Sequence, residues 1–241
     1  MALPEQARRC LSCPAEGLCD AIIKPREGEA DAAALDQRFL TITAGQQIPK
    51  YERANARALI LCSGWAFRYR ILPDGRRSIV RLVLPRQFVS ADAAFSPSAA
   101  SQADTPAKAL TDIQLCSYSA QNLRDKCLAT PPLMSLVLDL LIEEIRDAYD
   151  LAAALGRRSA HGRIAFLVVA AMKKLAPEGL VHGRRYPFPL RQQHIADAVG
   201  LTTVHVSRVL AQLRDSGLMT VADGAVTFHD LPGCDRAAAR G

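Results

Sequence analysis

The chain has 241 residues, 49% of them apolar and 22% charged, and carries a formal net charge of +6. That length and apolar fraction suit a folded protein with room for two modest domains and exclude a disordered one. No apolar run reaches the ~18 residues of a membrane span, and the N-terminus MALPEQARRCLSCPAEGLCDAI has no signal-peptide core, so a cytoplasmic protein without a membrane partner is expected, its positive charge favouring a polyanion.

The first chemical signal along the chain is Cys10, Cys13 and Cys19, spaced C-x2-C-x5-C. A short loop brings three thiols together at little entropic cost. Seven cysteines in a reducing compartment point to metal or redox roles rather than structural disulfides. Soft thiolates suit zinc or an iron-sulfur cluster. Either needs a fourth ligand, and no CxxC or His pair follows at zinc-finger spacing, so that ligand comes from far along the chain. Structural zinc, a thiol-disulfide sensor and idle cysteines stay open as alternatives.

From about Phe39 to Tyr118 the texture is strand-like, with short β-branched or aromatic runs at Ala58–Cys62, Ala66–Ile71 and Ser78–Leu84. Pro73-Asp74-Gly75 punctuates the last two, Pro pre-setting φ and Gly accepting a positive one. Such punctuation predicts a small antiparallel barrel or sandwich. Cys62 falls inside a strand and is read as core. The stretch Ser96–Ala107 (SPSAASQADTPA) reads as a surface loop.

After Pro131-Pro132 the pattern changes. Leu133 to Leu155 contains no Gly or Pro, and Leu133, Leu136, Val137, Leu140, Leu141, Ile145, Ala148, Ala152 and Leu155 form a three-four seam. A long helix with such a seam needs a partner, either the chain's own barrel or its copy in a two-fold dimer. A second helix is predicted from about Ala160 to Leu175, capped by Ser159 and closed by Pro177.

The stretch from Arg184 to Asp215 is rich in arginine: Arg184, Arg185, Arg191, Arg208 and Arg214 face only Asp197 and Asp215 there. Within it, Gln192 to Val199 reads as a short helix ending at Gly200, and Thr202 caps another that runs to about Asp215, before Gly217. This is helix-turn-helix grammar. Val206, Val209, Leu210 and Leu213 make the buried stripe, while Thr202, Thr203, Val204, Ser207 and Arg208 make a face suited to a major groove. Arg grips guanine O6 and N7, Thr or Ser bonds bases or phosphate, and Val meets a thymine methyl. Leu218–Val221 and Ala225–Phe228 flank Asp223-Gly224, the hairpin turn of a wing.

QQHIADAVGLTTVHVSRVLAQLRDSGLM resembles the helix-turn-helix of the CRP/FNR family of bacterial regulators, SGWAFRYRILPDGRR its β-roll, and Pro132–Leu155 its dimerisation helix. The resemblance implies an α+β fold: a cysteine-rich segment over 1–30, a cyclic-nucleotide-binding-like β-roll sensor domain over 31–130, a dimerisation helix over 131–157, and a winged helix-turn-helix over 158–241. It implies a homodimeric, sequence-specific transcription regulator on palindromic double-stranded DNA, with RNA polymerase as a further partner. FNR-type members hold an oxygen-labile four-iron four-sulfur cluster on three cysteines at this spacing and a fourth near the end of the β-roll. In LTDIQLCSYS that residue is Cys116. The implied signal is oxygen or redox state, with nitric oxide acting on the same centre; the alternative is a regulator without a cluster, gated by thiol oxidation or a small ligand. One departure stands out: Val204 occupies the position where the FNR branch typically carries a base-reading Glu.

Two other chemistries are weaker. Cyclic-nucleotide binding needs a Gly-Glu pair and a phosphate-binding Arg, and LPRQFVSADAAF with SQADTPAKAL offers neither a Gly-Glu nor a well-placed Arg; Lys108 is only a point charge. His161, His182, His194, His205 and His229 are scattered with no HExxH, nucleophile elbow or P-loop, and Glu143-Glu144 reads as a solvated helix face. An enzyme is not expected.

Overall fold

The computed structural model describes residues 36–51, 55–95, 105–177 and 179–239, so Cys10, Cys13, Cys19 and most of the Ser96–Ala107 loop lie outside the described residues. The described residues form two compact units. One takes the chain up to Arg70 with Leu82–Glu144, the other Ile71–Arg81 with Ile145 onward.

In the first unit, β1 (Arg38–Ile42), β7 (Ile113–Ser119), β2 (Arg57–Ser63) and β5 (Phe88–Ser90) lie in that order in one antiparallel sheet. A second sheet runs β4 (Arg77–Val83, of which Leu82 and Val83 belong to this unit), β3 (Ala66–Ile71) and β6 (Ala107–Ala109). Alternation sends Leu59 and Leu61 of β2 and Ile113 and Leu115 of β7 into an apolar cluster with Ala66, Val83 and Ala109 from the second sheet. The expected antiparallel β-roll is therefore present, an arrangement in which two sheets share one core.

The opposite face of the first sheet has its own cluster. Ala58, Ile60, Cys62, Cys116 and Tyr118 pack with Leu123 and Cys127 of α2 (Ala120–Ala129) and with Leu133 and Val137 of α3 (Pro131–Arg157). Neither α2 nor the one-turn α1 (Asp92–Phe95) was signalled by the sequence pattern. Ser119 caps α2 by accepting from the Asn122 N–H at 3.4 Å. The start of β2 is stapled to β7 by the buried Arg57, whose guanidinium donates to Ser117 Oγ, to the Ser117 carbonyl at 3.0 Å and to Asp36 Oδ2 at 2.5 Å. That bond, with a second from Arg38, holds the Asp36 carboxyl below the usual carboxylate range.

Two turns need their glycines. Gly75 has φ +78 and donates to the Leu72 carbonyl at 2.9 Å, closing the β3–β4 hairpin as Pro73-Asp74-Gly75 predicts. Gly64, between β2 and β3, has φ +82, and a Cβ there would run into the Asp112 carbonyl oxygen and Thr111 Oγ1. Gly64→Ala is expected to lower stability by about 2–3 kcal/mol, checked by the urea unfolding midpoint.

The long α3 covers Pro131–Arg157, but its seam divides. Leu133 and Val137 are buried in their own unit, whereas Leu138, Ile142, Ile145 and Tyr149 are 47, 44, 50 and 71% exposed. Only Ile145 of these four belongs to the seam read from the sequence. The helix thus carries two apolar stripes rather than one, and only the first has a partner among the described residues.

In the second unit, α4 (Ala160–Leu175) begins at Ser159, whose hydroxyl accepts from the Gly162 N–H at 3.2 Å. It buries Ile164, Ala165, Val168 and Leu175, as its three-four spacing requires. Then follow β8 (Arg185–Pro187), α5 (Gln192–Val199), α6 (Thr203–Asp215), β9 (Met219–Ala222), β10 (Ala225–Phe228) and α7 (Leu231–Ala239), with sheet order β8-β10-β9. Among the described residues no helix is long and apolar enough to cross a membrane.

Candidate functional site

The site is built on the α5–α6 pair. The Arg191 N–H, left without a helical partner, donates to His194 Nδ1 at 3.2 Å, so this histidine closes the start of α5. Gly200 ends it in the left-handed conformation, φ 67 and ψ 40, which a residue with Cβ adopts only at a cost. The chain turns, and Thr202 Oγ1 accepts from the His205 N–H at 3.2 Å to start α6. Arg163 of α4 donates to the Val199 carbonyl at 3.4 Å and to the Arg158 carbonyl at 3.0 Å, fastening the end of α5 to the helix beneath.

Val206, Val209 and Leu213 of α6 are buried, and Leu210 is half-buried at the edge of the same stripe. At 100° per residue, Thr203, Val204, Ser207 and Arg208 then occupy an arc facing away from it. Val204, Ser207 and Arg208 are exposed and Thr203 half-buried. Val204 leaves 69% of its surface in water, an uncovered apolar side chain on an otherwise polar face. Arg208 has no ion pair or hydrogen bond among the described residues, and its fork is open to an acceptor. Thr202 is placed with these residues, but its oxygen is committed to the cap, leaving its O–H proton as a donor. The N-terminal end of α6 adds the helix's positive dipole end, which favours phosphate.

The wing follows directly. Asp223 and Gly224 both have positive φ, 50 and 69, the pairing that a two-residue hairpin with matching twist demands. β10 pairs with β9 from Ala225–Ala222 to Phe228–Met219, and with β8 on its other edge. β8 went unread in the sequence; the signal available was the Tyr186–Phe188 alternation after Gly183. Tyr186 stacks on Phe228 and meets Phe188 edge-on, with centroids 5.9 Å apart in each case. Its hydroxyl donates to the Val168 carbonyl at 2.6 Å, and burial pushes its pKa well up. Burying aromatic rings of this size stabilises by about 1.5–3 kcal/mol each and anchors the hairpin on α4.

Of the cysteines, Cys116 lies in β7, fully covered. Its Sγ is 3.0 Å from Cys62 Sγ of β2 and 3.9 Å from Gln37 Nε2, which also donates to the Tyr118 hydroxyl at 3.0 Å. Cys127, in the same apolar cluster, and Cys234, in α7, are buried too, and each is pushed up to about 11, chiefly by burial and for Cys234 also by Asp230 and Asp235, so both stay protonated at neutral pH. No cluster of three or more metal-ligating side chains occurs among the described residues. Of the other candidates, His229 Nε2 sits 2.9 Å from Thr220 Oγ1, and Lys108 lies in β6.

Comparisons with known proteins agree with this geometry. Residues 162–233 match the model of the Crp-like helix-turn-helix domain. The nitrogen fixation regulation protein FixK of Bradyrhizobium diazoefficiens is 31% identical over 163 residues, which span 67% of this chain and 65% of that relative. The transcriptional activator protein FnrL of Cereibacter sphaeroides is 26% identical over 91% of this chain and 87% of its own length. The structure of FixK2 from Bradyrhizobium japonicum superimposes with a TM-score of 0.73 at 21% identity, covering 86% of this chain and all of that one. A CooA mutant from Carboxydothermus hydrogenoformans does so at 0.69 and 15%, covering 92% and 95%.

Proposed function

Taking the chain as a transcription regulator of the CRP/FNR family, we propose that it binds palindromic double-stranded DNA as a homodimer, in the cytoplasm, and responds to oxygen or redox state through an iron-sulfur cluster. The carrying observation is the open face of α6. Val204 and Arg208 have no partner among the described residues, yet they stand at the end of the helix that enters a major groove in such domains. Arg208 reads a guanine by its two-pronged fork, Ser207 and Thr203 bond base edges or phosphate, and Val204 meets a thymine methyl. An apolar Val204 cannot accept from a cytosine amino group, so the inner half-site departs from one read by a carboxylate.

The uncovered stripe of α3 supports the dimer. Leu138, Ile142, Ile145 and Tyr149 recur at steps of four, three and four, the period of a two-helix seam. Two copies so joined present two α6 helices to half-sites about 34 Å apart. RNA polymerase is the partner through which such a complex acts on transcription.

The cluster reading rests on the donor set. Cys10, Cys13 and Cys19 supply three thiols and Cys116 a fourth, the count that a four-iron cluster requires. Gln37, at the start of β1, reaches Cys116 Sγ, so the chain leaving the cysteine segment begins against this thiol. Seventeen residues, Asp20 through Asp36, separate Cys19 from that point, and a chain of that length can reach at most ~55 Å at ~3.3 Å per extended residue. The four thiols are the donor type and number that the group takes, and Cys116 would serve once Gln37 swings aside. When bound, it would supply an oxygen-labile link between the N-terminal segment and β7.

Purification under argon tests this reading. A brown protein with iron and sulfide that bleaches in air is expected, and binding-site selection on the same material is expected to return a two-fold symmetric site. Cys116→Ser is expected to lose the iron; unchanged iron content would remove Cys116 as a ligand, and a colourless zinc protein would overturn the cluster.

A further inference from the structure

We propose that Cys62 and Cys116 are a dithiol pair that a small hydroperoxide converts reversibly into a disulfide, a redox site separate from the N-terminal cysteines. The two residues are 54 positions apart in the chain and meet only through the sheet. In the β2–β7 ladder Cys116 stands opposite Ile60, and the register slips between Leu61 and Ser63, leaving Cys62 as the extra residue of a bulge. Residues two apart on a strand share a face, so Cys62 and Cys116 are diagonal neighbours on the face that carries Ala58, Ile60 and Tyr118. Their sulfurs sit 3.0 Å apart as thiols. A disulfide needs ~2.05 Å, so a closure of about 1 Å joins them without moving either strand to a new register.

The surroundings favour bond formation within this pair. Both residues belong to the apolar cluster on this sheet face and their sulfurs are 3.0 Å apart, so a sulfenic acid formed on one stands within direct reach of the other thiol. Cys62 is 6% exposed and Cys116 is fully covered, so the peroxide meets Cys62 first. The Cys62 thiol attacks the peroxide oxygen, the O–O bond breaks, and the departing hydroxide takes the Cys62 proton and leaves as water while the sulfenic acid forms. The Cys116 thiol then attacks the Cys62 sulfur and expels hydroxide, which takes up the Cys116 proton and leaves as a second water. Two thiols lose two electrons and two hydrogens, and hydrogen peroxide gains them as two waters. Only a small oxidant reaches so covered a pair; the bulky disulfide of glutathione does not.

The bond does not depend on the cluster reading, but it bears on it. If Cys116 is the fourth ligand, closing the disulfide withdraws it, and peroxide then opposes cluster retention by a route that oxygen does not use.

The test uses the full chain, reduced, stripped of metal with a chelator and exposed to graded hydrogen peroxide, then alkylated and digested with trypsin. The expected product is a linked pair of peptides, 58–68 with 109–124, lighter by two hydrogens and separated again by dithiothreitol, while Cys127 and Cys234 are recovered alkylated. Cys62→Ala is expected to yield no linkage to peptide 109–124. Oxidised glutathione is expected to leave the pair reduced. Recovery of Cys62 and Cys116 as alkylated thiols at peroxide levels that oxidise Cys10, Cys13 and Cys19 overturns the proposal, as does a linkage of Cys116 to an N-terminal cysteine instead. Because this assay is done without iron, its failure leaves the iron analysis of the anaerobic protein untouched, and the two readings fall separately.

Discussion

Replacing Arg208 with alanine is expected to cut the affinity of the dimer for its selected duplex by about 30-fold to 10⁴-fold. A bidentate arginine–guanine pairing is worth about 1–3 kcal/mol of discrimination, and a two-fold site uses it twice, giving about 2–6 kcal/mol at 1.4 kcal/mol per factor of ten. The loss is expected at one base position in each half-site, so duplexes altered at that position bind the variant and the parent with converging affinity. The fold is expected to survive, because Arg208 is exposed and tied to nothing among the described residues. A titration over several salt concentrations separates base reading from phosphate binding. An arginine that only neutralised a phosphate would, when removed, lower affinity evenly for every sequence and reduce the salt slope by about 1 per phosphate left bare. An even loss would assign Arg208 to the backbone.

The second large effect is expected from charging the uncovered stripe of α3. Ile142→Glu combined with Ile145→Glu should convert a dimer into a monomer, read by sedimentation equilibrium. Both side chains are about half exposed in the single chain, so the unfolding midpoint of the monomer should change little, within roughly 0.5 kcal/mol per site. In the dimer the same positions would bring carboxylates together in an apolar seam, where burial without a partner is costly. DNA binding should fall ~10²–10⁴-fold, since a monomer loses the second half-site and the effective concentration that comes with it. A variant that stays dimeric would place the two-fold interface elsewhere on the molecule.

Much of the second unit was readable from residues in order, because its determinants are local. Gly200 takes the left-handed conformation that ends α5, the Thr202 hydroxyl accepts from the first turn of α6, and Asp223-Gly224 turns the wing with two positive φ values. Each depends on a residue and its neighbours within one or two turns of chain. The same holds for Ser159 at the start of α4 and for Gly75 in the β3–β4 hairpin. The face of α6 follows too, since a 3.6-residue period divides buried valines from Thr203, Val204, Ser207 and Arg208 once the helix is granted.

Other features required the folded chain. β8 is three residues long and exists because β10 offers it an edge and Val168 accepts from Tyr186, partners that lie 18 or more positions away. The long α3 has apolar residues on two sides; which of them the β-roll covers was settled by Ile60, Tyr118 and Leu123 packing on Leu133 and Val137, leaving the Leu138–Tyr149 stripe in water. The meeting of Cys62 and Cys116 is the sharpest case. Its strand context marks Cys62 as core, but only strand pairing and a bulge of one residue bring its sulfur to 3.0 Å from that of Cys116. Torsional preference and helical period act over a few residues and can be written into a string of letters. Which edges pair, and which of two apolar surfaces is covered, is decided by competition among all the surfaces of the collapsed chain.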